Sequence, residues 1–178
     1  MKALLALMGI LSLLLSTGRS QTKDLVIDLQ TFACGNSKLG SAPDARDFFA
    51  QPLQASDTYK SARDGFEVGT KQGILDYVFI TIGAYKGSFA CGESKIVLNS
   101  AITPERVRAE FGEPYWIDSK DKELILFYEF AGGRIELQFE FPDKRQLGFI
   151  TLAKDGVLSD AEQRRLYGVT KTWPPKNG

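Results

Sequence analysis

Acidic side chains recur in two consecutive segments of the sequence, and they are the first residues that could carry chemistry. The four acids are Glu123 and Glu129 in the first segment and Glu136 and Glu140 in the second. Convergent carboxylates can exchange protons in hydrolysis or bind a hard cation such as Ca²⁺. Arg134 and Gln138 interleave with them, however, and polar residues that alternate with apolar ones are typical of a solvated strand face. The pattern favours a solvated face, with a binding face and a catalytic or metal site as the alternatives.

An aromatic pair offers a second kind of chemistry, the recognition of another protein. Tyr115 and Trp116 follow Pro114 and precede the polar stretch DSKDK. Tyr and Trp are enriched at protein interfaces, although such a pair can equally close one end of a core. The candidate binding residues are Tyr115, Trp116, Arg134, Glu136, Gln138 and Glu140.

Histidine is absent from the sequence, and this excludes several classes of enzyme. Ser-His-Asp and Cys-His catalysis, histidine-ligated zinc and imidazole pH switches all need this side chain. The glycine-containing stretches AGGR and GILD lie outside any strand-to-helix unit that would bind a phosphate. We therefore expect a non-enzymatic protein without a cofactor or a metal ion.

The N-terminus has the layout of a secretory signal peptide. Lys2 is followed by an almost wholly apolar stretch, residues 3–15, and then by small and polar residues. The stretch is too short for a bilayer core of about 30 Å, so we assign residues 1–20 to the signal peptide and expect a periplasmic or secreted protein. No basic block attracts a nucleic acid, and no later stretch is apolar enough to span a membrane.

An octapeptide occurs twice and contains both cysteines of the chain. FACGNSKL at residues 32–39 returns as FACGESKI at residues 89–96, which indicates an internal duplication. The predicted units are residues 21–88 and 89–158, followed by a C-terminal helix and tail at 159–178. Disulfides persist outside the cytosol, so we expect Cys34 and Cys91 to meet near a pseudo-twofold axis and form one. A redox-active pair is the alternative.

Each octapeptide leads to a helical pattern and then to β-rich sequence. PDARDFFAQP predicts the helix of the first copy; in the second, Thr103 is the N-cap, Pro104 begins the helix, and Gly112 and Pro114 end it. DLVIDLQ predicts a first strand, ELILFYEF and RIELQFEF predict a β-hairpin with one apolar and one polar face, and LGFITL predicts a third antiparallel strand. SDAEQRRLYG predicts a last helix capped by Ser159, and TWPPKNG a loose tail. The predicted fold class is α+β, with two duplicated helix-plus-antiparallel-sheet repeats packed as one pseudo-symmetric domain.

The stretch AITPERVRAEFGEPYW, followed by LILFYEFAGGRIELQFE and LGFITL, resembles small α+β repeats of the bacterial envelope. Such repeats occur in the BamE (SmpA/OmlA) family of outer-membrane assembly lipoproteins and, in tandem, in the beta-lactamase inhibitor protein family. Their helix ends in the motif V-R-x-x-(F/L)-G-x-P, which is matched by Thr103 at the helix start and by Val107, Arg108, Phe111, Gly112 and Pro114. The resemblance implies a non-enzymatic protein that recognises another protein through a sheet face.

These observations predict an exported binding protein that recognises a protein partner, in the envelope or outside the cell, through its sheet face and aromatic loops. It would act as an inhibitor, an immunity protein or an envelope-assembly accessory. One alternative is a small-molecule or lipid binder with a cavity between helix and sheet, which the 12 Phe and 6 Tyr residues allow. Another is a carboxylate-based hydrolase, which requires two carboxylates that converge in a cleft. The sequence sets no oligomeric state.

Overall fold

Across the residues that the structure describes, the chain forms two β-sheets and two short α-helices, so most of this regular structure is β. The computed structural model describes residues 25–44, 47, 60–63, 65–120 and 122–176. The strands are β1 (Val26–Asp28), β2 (Ala33–Cys34), β3 (Ser37–Lys38), β4 (Lys60–Arg63), β5 (Phe66–Lys71), β6 (Ile74–Thr81), β7 (Ser88–Cys91), β8 (Ser94–Ile96), β9 (Trp116–Asp118), β10 (Leu124–Phe130), β11 (Ile135–Phe141) and β12 (Phe149–Lys154). The helices of the described residues are α1 (Pro104–Phe111) and α2 (Ala161–Leu166), and a 3₁₀ turn covers Val157–Ser159.

The smaller sheet contains both copies of the octapeptide. Its strand order is β3-β2-β1-β7-β8, so β1 lies at the centre with one hairpin on each side. In each hairpin the cysteine pairs with the serine of the same octapeptide, which leaves the two-residue turns Gly35-Asn36 and Gly92-Glu93. The two glycines have φ angles of 60° and 62°, and a positive φ at the first turn position is what a II′ hairpin turn requires. The repeated sequence thus forms the same hairpin twice.

The larger sheet is antiparallel throughout, with the strand order β4-β5-β6-β12-β11-β10-β9. The predicted hairpin of β10 and β11 has the expected register, with Leu124 opposite Phe141. β6 and β12 meet in the middle of the sheet, where Ile80 lies opposite Ile150. Each of the predicted units contributes strands to both sheets, so the units are not separate layers.

One face of the larger sheet packs against the smaller sheet and forms the core. A row of opposed side chains across five strands is almost fully buried: Leu126, Phe139, Ile150, Ile80 and Phe66. Ile27 and Phe89 of the smaller sheet belong to the same cluster. Burying a large apolar side chain contributes about 2 kcal/mol, so this layer is the main source of stability.

Helix α1 begins and ends where the sequence predicts. The Thr103 hydroxyl accepts a hydrogen bond from the Arg106 amide at 3.4 Å, Pro104 is the first helical residue, and Gly112 follows the helix with a φ of 81°. Val107 is buried and joins the core cluster. Neither helix in the described part of the chain has the length and apolar character needed to cross a bilayer.

The C-terminal segment differs from its prediction in two ways. The last helix is capped by Asp160, which accepts a hydrogen bond from the Gln163 amide at 2.9 Å; Ser159 instead ends the 3₁₀ turn. The tail is not loose, because Pro175 is buried and Trp173 packs against other residues. The predicted signal peptide lies outside the described residues, as does most of the helix predicted at residues 43–52.

The predicted disulfide between Cys34 and Cys91 is wrong, because both residues are free thiols. Strand β1 separates them: Ile27 pairs with Cys34 on one side and with Phe89 on the other. Two strand spacings of about 4.8 Å each exceed the limit of about 7 Å between the Cα atoms of a disulfide. The cysteines do flank the centre of the sheet, but β1 occupies that centre.

Candidate functional site

The face of the larger sheet that points away from the core carries most of the predicted binding residues. Trp116, Phe127 and Gln138 form one row across three strands, and Glu129 lies opposite Glu136 in the next row. We call this surface the outer face. Its mixture of polar and aromatic side chains follows from the alternation seen in the sequence.

The chain's own C-terminal segment covers the outer face over β9, β10 and β11. We call residues 155–176 the strap; it contains the 3₁₀ turn and α2. The fully buried Phe127 ring lies 5.2 Å from the Tyr167 ring, and Trp116 Nε1 donates to the Tyr167 carbonyl oxygen at 3.2 Å. Trp116 therefore binds the strap through its ring nitrogen.

A cluster of rings holds the end of the strap. Tyr115 lies edge-on to Trp173 with ring centroids 5.9 Å apart, and its hydroxyl donates to the Thr172 carbonyl oxygen at 3.1 Å. The Arg164 guanidinium lies 4.8 Å from the centre of the Trp173 ring and donates to two carbonyl oxygens of the 3₁₀ turn at 2.7 and 2.9 Å. These contacts support the alternative in which the aromatic pair closes one end of the packed protein.

Glu136 holds the beginning of the strap. Its side chain is fully buried and accepts hydrogen bonds from the amides of Val157 at 3.1 Å and Leu158 at 2.9 Å, and from Gln138 Nε2. Gly156 permits this approach, because a Cβ atom there would lie 2.4 Å from the Glu136 side chain. The carboxylate thus satisfies two amides at the start of the 3₁₀ turn that have no partner within it.

Glu129 lies opposite Glu136 and is also buried, with 6% of its surface exposed. Neither of its carboxyl oxygens accepts a hydrogen bond from the described residues. Burial and the neighbouring Glu136 carboxylate raise the pKa of Glu129 to about 10. Two adjacent buried carboxylates are costly to ionise together, so one proton is retained. As a neutral acid, Glu129 can donate its O–H to Glu136.

This carboxyl pair is the convergence that the hydrolase alternative requires, but the strap covers it. A substrate has no access to the two side chains while the 3₁₀ turn is seated on Glu136. The described residues also contain no group of three or more His, Cys, Asp or Glu side chains that could hold a metal ion.

The other predicted site residues lie outside the covered cluster. Arg134 is exposed at the turn between β10 and β11, where its Nε donates to the Ala131 carbonyl oxygen at 3.1 Å. Glu140 is half-buried on the outer face and accepts from Thr151 Oγ1 at 3.3 Å, and burial raises its pKa. The prediction of a solvated face is wrong for Glu129, Glu136 and Gln138, because all three side chains are buried.

A cleft of about 390 Å³ lies beside α1; the sequence allowed a cavity between helix and sheet but did not identify the residues that line this one. Six apolar residues and four polar residues line it: Ile96, Val97, Leu98, Ile102, Val107 and Phe111, with Lys95, Asn99, Arg106 and Glu110. Its volume lies in the range of small-ligand sites, and such sites combine apolar walls with a few polar groups.

Strand β8 places an exposed backbone edge at this cleft. It is the last strand of the smaller sheet, so one side of it has no neighbouring strand among the described residues. A second cleft, of about 290 Å³, is lined by the same segment together with Tyr85 and Phe89. Val97, directly after β8, is 75% exposed, the highest value for a large apolar side chain in the described part of the chain. An edge strand beside apolar clefts is a position where an extended peptide can add.

The cleft beside α1 and the pair of Glu129 and Glu136 left only weak signals in the sequence. The apolar run is visible as IVL, which begins with Ile96, the last residue of the second octapeptide. The opposition of Glu129 and Glu136 follows from their positions on either side of the turn at residues 131–134, once that turn is fixed. No local sequence pattern shows that the strap covers the outer face and does not cover the cleft beside α1.

The sequence matches no protein-family model and shows no significant similarity to a curated protein. One solved structure resembles part of the fold: a DUF4309 family protein, YjgB, from Bacillus subtilis, with a TM-score of 0.41 and 13% sequence identity over 68% of this chain and 84% of that one. A likeness at this level identifies neither a family nor a function for the chain. The resemblance to BamE and beta-lactamase inhibitor repeats stays a prediction.

Proposed function

We propose that the protein is a non-enzymatic binding protein that recognises an extended segment of a partner protein along β8 and the α1 cleft. The observation that carries this proposal is the outer edge of β8, which pairs with no other strand in the described part of the chain, next to the exposed Val97 and a cleft of about 390 Å³. An extended segment that pairs with β8 would insert alternate side chains into the clefts on either side. Backbone pairing would supply affinity, and the clefts would supply specificity.

The charges around the cleft indicate the chemistry of the partner segment. Lys95 and Arg106 line the cleft, and Glu110 offsets the Arg106 charge through an exposed ion pair of 3.6 Å. Exposed ion pairs of this kind contribute only about 0.3–0.5 kcal/mol, so a partner carboxylate can compete for Arg106. The partner segment is therefore apolar at alternate positions and carries at least one acidic residue.

This proposal moves the recognition surface from the outer face to β8. Trp116, Glu136 and Gln138 already bind the strap or each other. The partner remains a protein, as the sequence predicts, but its contact residues are those of the α1 cleft.

A peptide library displayed on phage tests the proposal directly. We expect the protein to enrich extended peptides with alternating apolar residues, and Val97→Glu to weaken their binding by at least about tenfold through loss of the apolar wall. Methylation of alternate backbone nitrogens in an enriched peptide should abolish its binding. Ile117→Glu is the matched control, since Ile117 is 38% exposed on β9, at the edge of the other sheet. Failure to enrich any peptide, or an equal loss in both variants, would contradict the proposal.

A small apolar ligand is the second candidate, and the volume of the α1 cleft favours it. An anionic apolar dye such as anilinonaphthalene sulfonate should then become fluorescent on the protein, and Val97→Glu, which places a negative charge at the cleft, should reduce its affinity. If the dye binds at this cleft while no peptide is enriched, the small-ligand function replaces the peptide function.

We also propose that the protein is exported to the periplasm or the cell exterior. The support is the layout of residues 1–20, a basic residue followed by a short apolar stretch and small residues. The mass of the protein recovered from its host should correspond to a chain that begins near Gln21. A mature chain that retains Met1 would contradict export through this segment.

Finally, we propose that the chain consists of two copies of one ancestral unit. The supporting observations are the two equivalent hairpins around β1 and the pairing of Ile80 with Ile150 at the middle of the larger sheet. If the copies are separable units, residues 21–88 and 89–178 produced as two chains should assemble into one complex. Two chains that stay apart and unfolded would argue against it.

A further inference from the structure

We propose that the strap is a proton-dependent latch, which stays on the outer face while Glu129 and Glu136 share one proton and is released when both carboxylates ionise. This inference concerns the outer face and is independent of the α1 cleft and of the partner proposed for it. It assigns a role to Glu129, a buried side chain whose two carboxyl oxygens accept no hydrogen bond from the described residues.

The geometry places the carboxyl pair directly beneath the first turn of the strap. Glu136 accepts the amides of Val157 and Leu158, and Gly156 lies against its side chain. Glu129 is the cross-strand neighbour of Glu136. Any charge that appears on Glu129 is therefore placed next to the carboxylate that holds the strap.

Release of the strap changes the protonation of the pair. With the strap closed, the Glu129 O–H donates to the Glu136 carboxylate, and the pair carries one negative charge. With the strap lifted, water hydrates both groups, the Glu129 O–H bond breaks, and the proton passes to solvent. Each opening event thus releases one proton, and no other reactant is needed.

The charged and titratable groups around Glu129 do not cancel the dependence of strap release on its protonation. On β11 it faces Glu136; from the segment before β9 it faces Tyr115, whose pKa is raised by burial and by Glu129. The positive charge of Arg164 on α2 lowers the pKa of Tyr115, but its guanidinium donates to the 3₁₀ turn and lies over the Trp173 ring. No salt bridge among the described residues involves Glu129 or Glu136.

The direction of the pH effect follows from the two protonation states. The closed strap raises the pKa of Glu129 from its ordinary 4.5 to about 10, so between these values the closed form holds a proton that the open form has lost. The equilibrium constant for opening of the strap then rises about tenfold for each pH unit. It stops rising above the pKa of Glu129 in the closed form. The latch is tightest in acid.

Hydrogen exchange of the Val157 and Leu158 amides tests the latch in the full-length protein. Expressed as protection factors, which cancel the pH dependence of the intrinsic exchange rate, their protection should fall about tenfold per pH unit between pH 6 and 9. Glu129→Gln should show no such slope, because its amide still donates to Glu136 but cannot ionise. Glu140→Gln, a carboxyl change on the same face, should keep the wild-type slope.

Three results would overturn the latch. These are a protection factor in the wild type that does not change with pH, a slope that persists in Glu129→Gln, and an equal loss of protection at Val78 and Ile80 of β6, which would mean global unfolding. If Glu129→Gln does not fold, the side-chain carbon-13 shift of Glu129 in the wild type decides instead. A titration midpoint near pH 10 supports the latch, and one near the ordinary 4.5 overturns it.

Discussion

The two copies of the octapeptide form the same hairpin in different surroundings. Cys34 is 1% exposed, and burial together with the Asp47 carboxylate raises its pKa well above the usual value for a thiol. Cys91, on the other side of β1, is only partly buried. Eight nearly identical residues thus determine the backbone of the hairpin, whereas the neighbouring segments determine the chemistry of its cysteine.

The turns of the two hairpins are also held differently. The Asp47 carboxylate accepts hydrogen bonds from the Asn36 amide and the Ser37 hydroxyl, both at 2.8 Å. In the second hairpin, the Gly92 amide donates at 3.1 Å to the carboxylate of Asp28, which is the last residue of the central strand β1. An aspartate supports each turn, but the two come from different elements of the chain.

The largest expected difference between the copies is the reactivity of their thiols. Cys91 should react with a thiol reagent at least about 100-fold faster than Cys34, because Cys34 is buried and its thiolate is disfavoured. Labelling of the native protein followed by peptide mapping measures both rates. Cys91→Ser should remove the fast reaction and leave the slow one, and equal rates at the two sites would contradict the difference in burial.

A smaller difference is expected in stability when each cysteine is replaced by serine. Cys34→Ser places a hydroxyl in an apolar site and should lower the free energy of unfolding by about 2 kcal/mol. Cys91→Ser should cost less than about 0.5 kcal/mol, as is usual near the surface. Urea unfolding at constant m-value gives both numbers. Equal losses would show that the environments of the two copies are alike after all.

The smallest difference is expected between the glycines of the two turns. Both have a positive φ, so an alanine at either position should cost about 1 kcal/mol for the left-handed backbone. At Gly35 a Cβ atom would also lie 2.9 Å from the buried Leu25 side chain, whereas at Gly92 its nearest contact is the movable end of Gln30. Gly35→Ala should therefore be the more damaging by about 1 kcal/mol, as read from thermal unfolding. The reverse order would mean that the second turn is the tighter one.

The elements that the sequence predicted well are those specified by neighbouring residues. Thr103, Pro104 and Gly112 set the limits of α1 because capping acts within one turn of a helix. The β10–β11 hairpin was predictable because polar and apolar side chains alternate along β11 and a turn that contains two glycines precedes it. In these segments the local pattern and the tertiary structure agree.

The features that the sequence did not predict depend on contacts between distant segments. An alternating polar row has the same pattern whether water or another part of the chain covers it, and Glu136 is covered by amides 21 and 22 residues away. The disulfide prediction failed because no pattern within either octapeptide shows that β1 separates them. The α1 cleft likewise forms only when α1 and the residues after β8 come together.

The central position of β1 has a consequence for how the chain folds. β1 reaches β2 through a short turn, but its other neighbour is β7, roughly 60 residues later and parallel to it. Parallel strands cannot be joined by a tight turn. Closing a loop of this length loses chain entropy before the pairing of the strands can stabilise the sheet. Pairing of β1 with β7 is therefore expected to be a late and slow step. The first strand of the sheet would remain open on one side until most of the chain has folded.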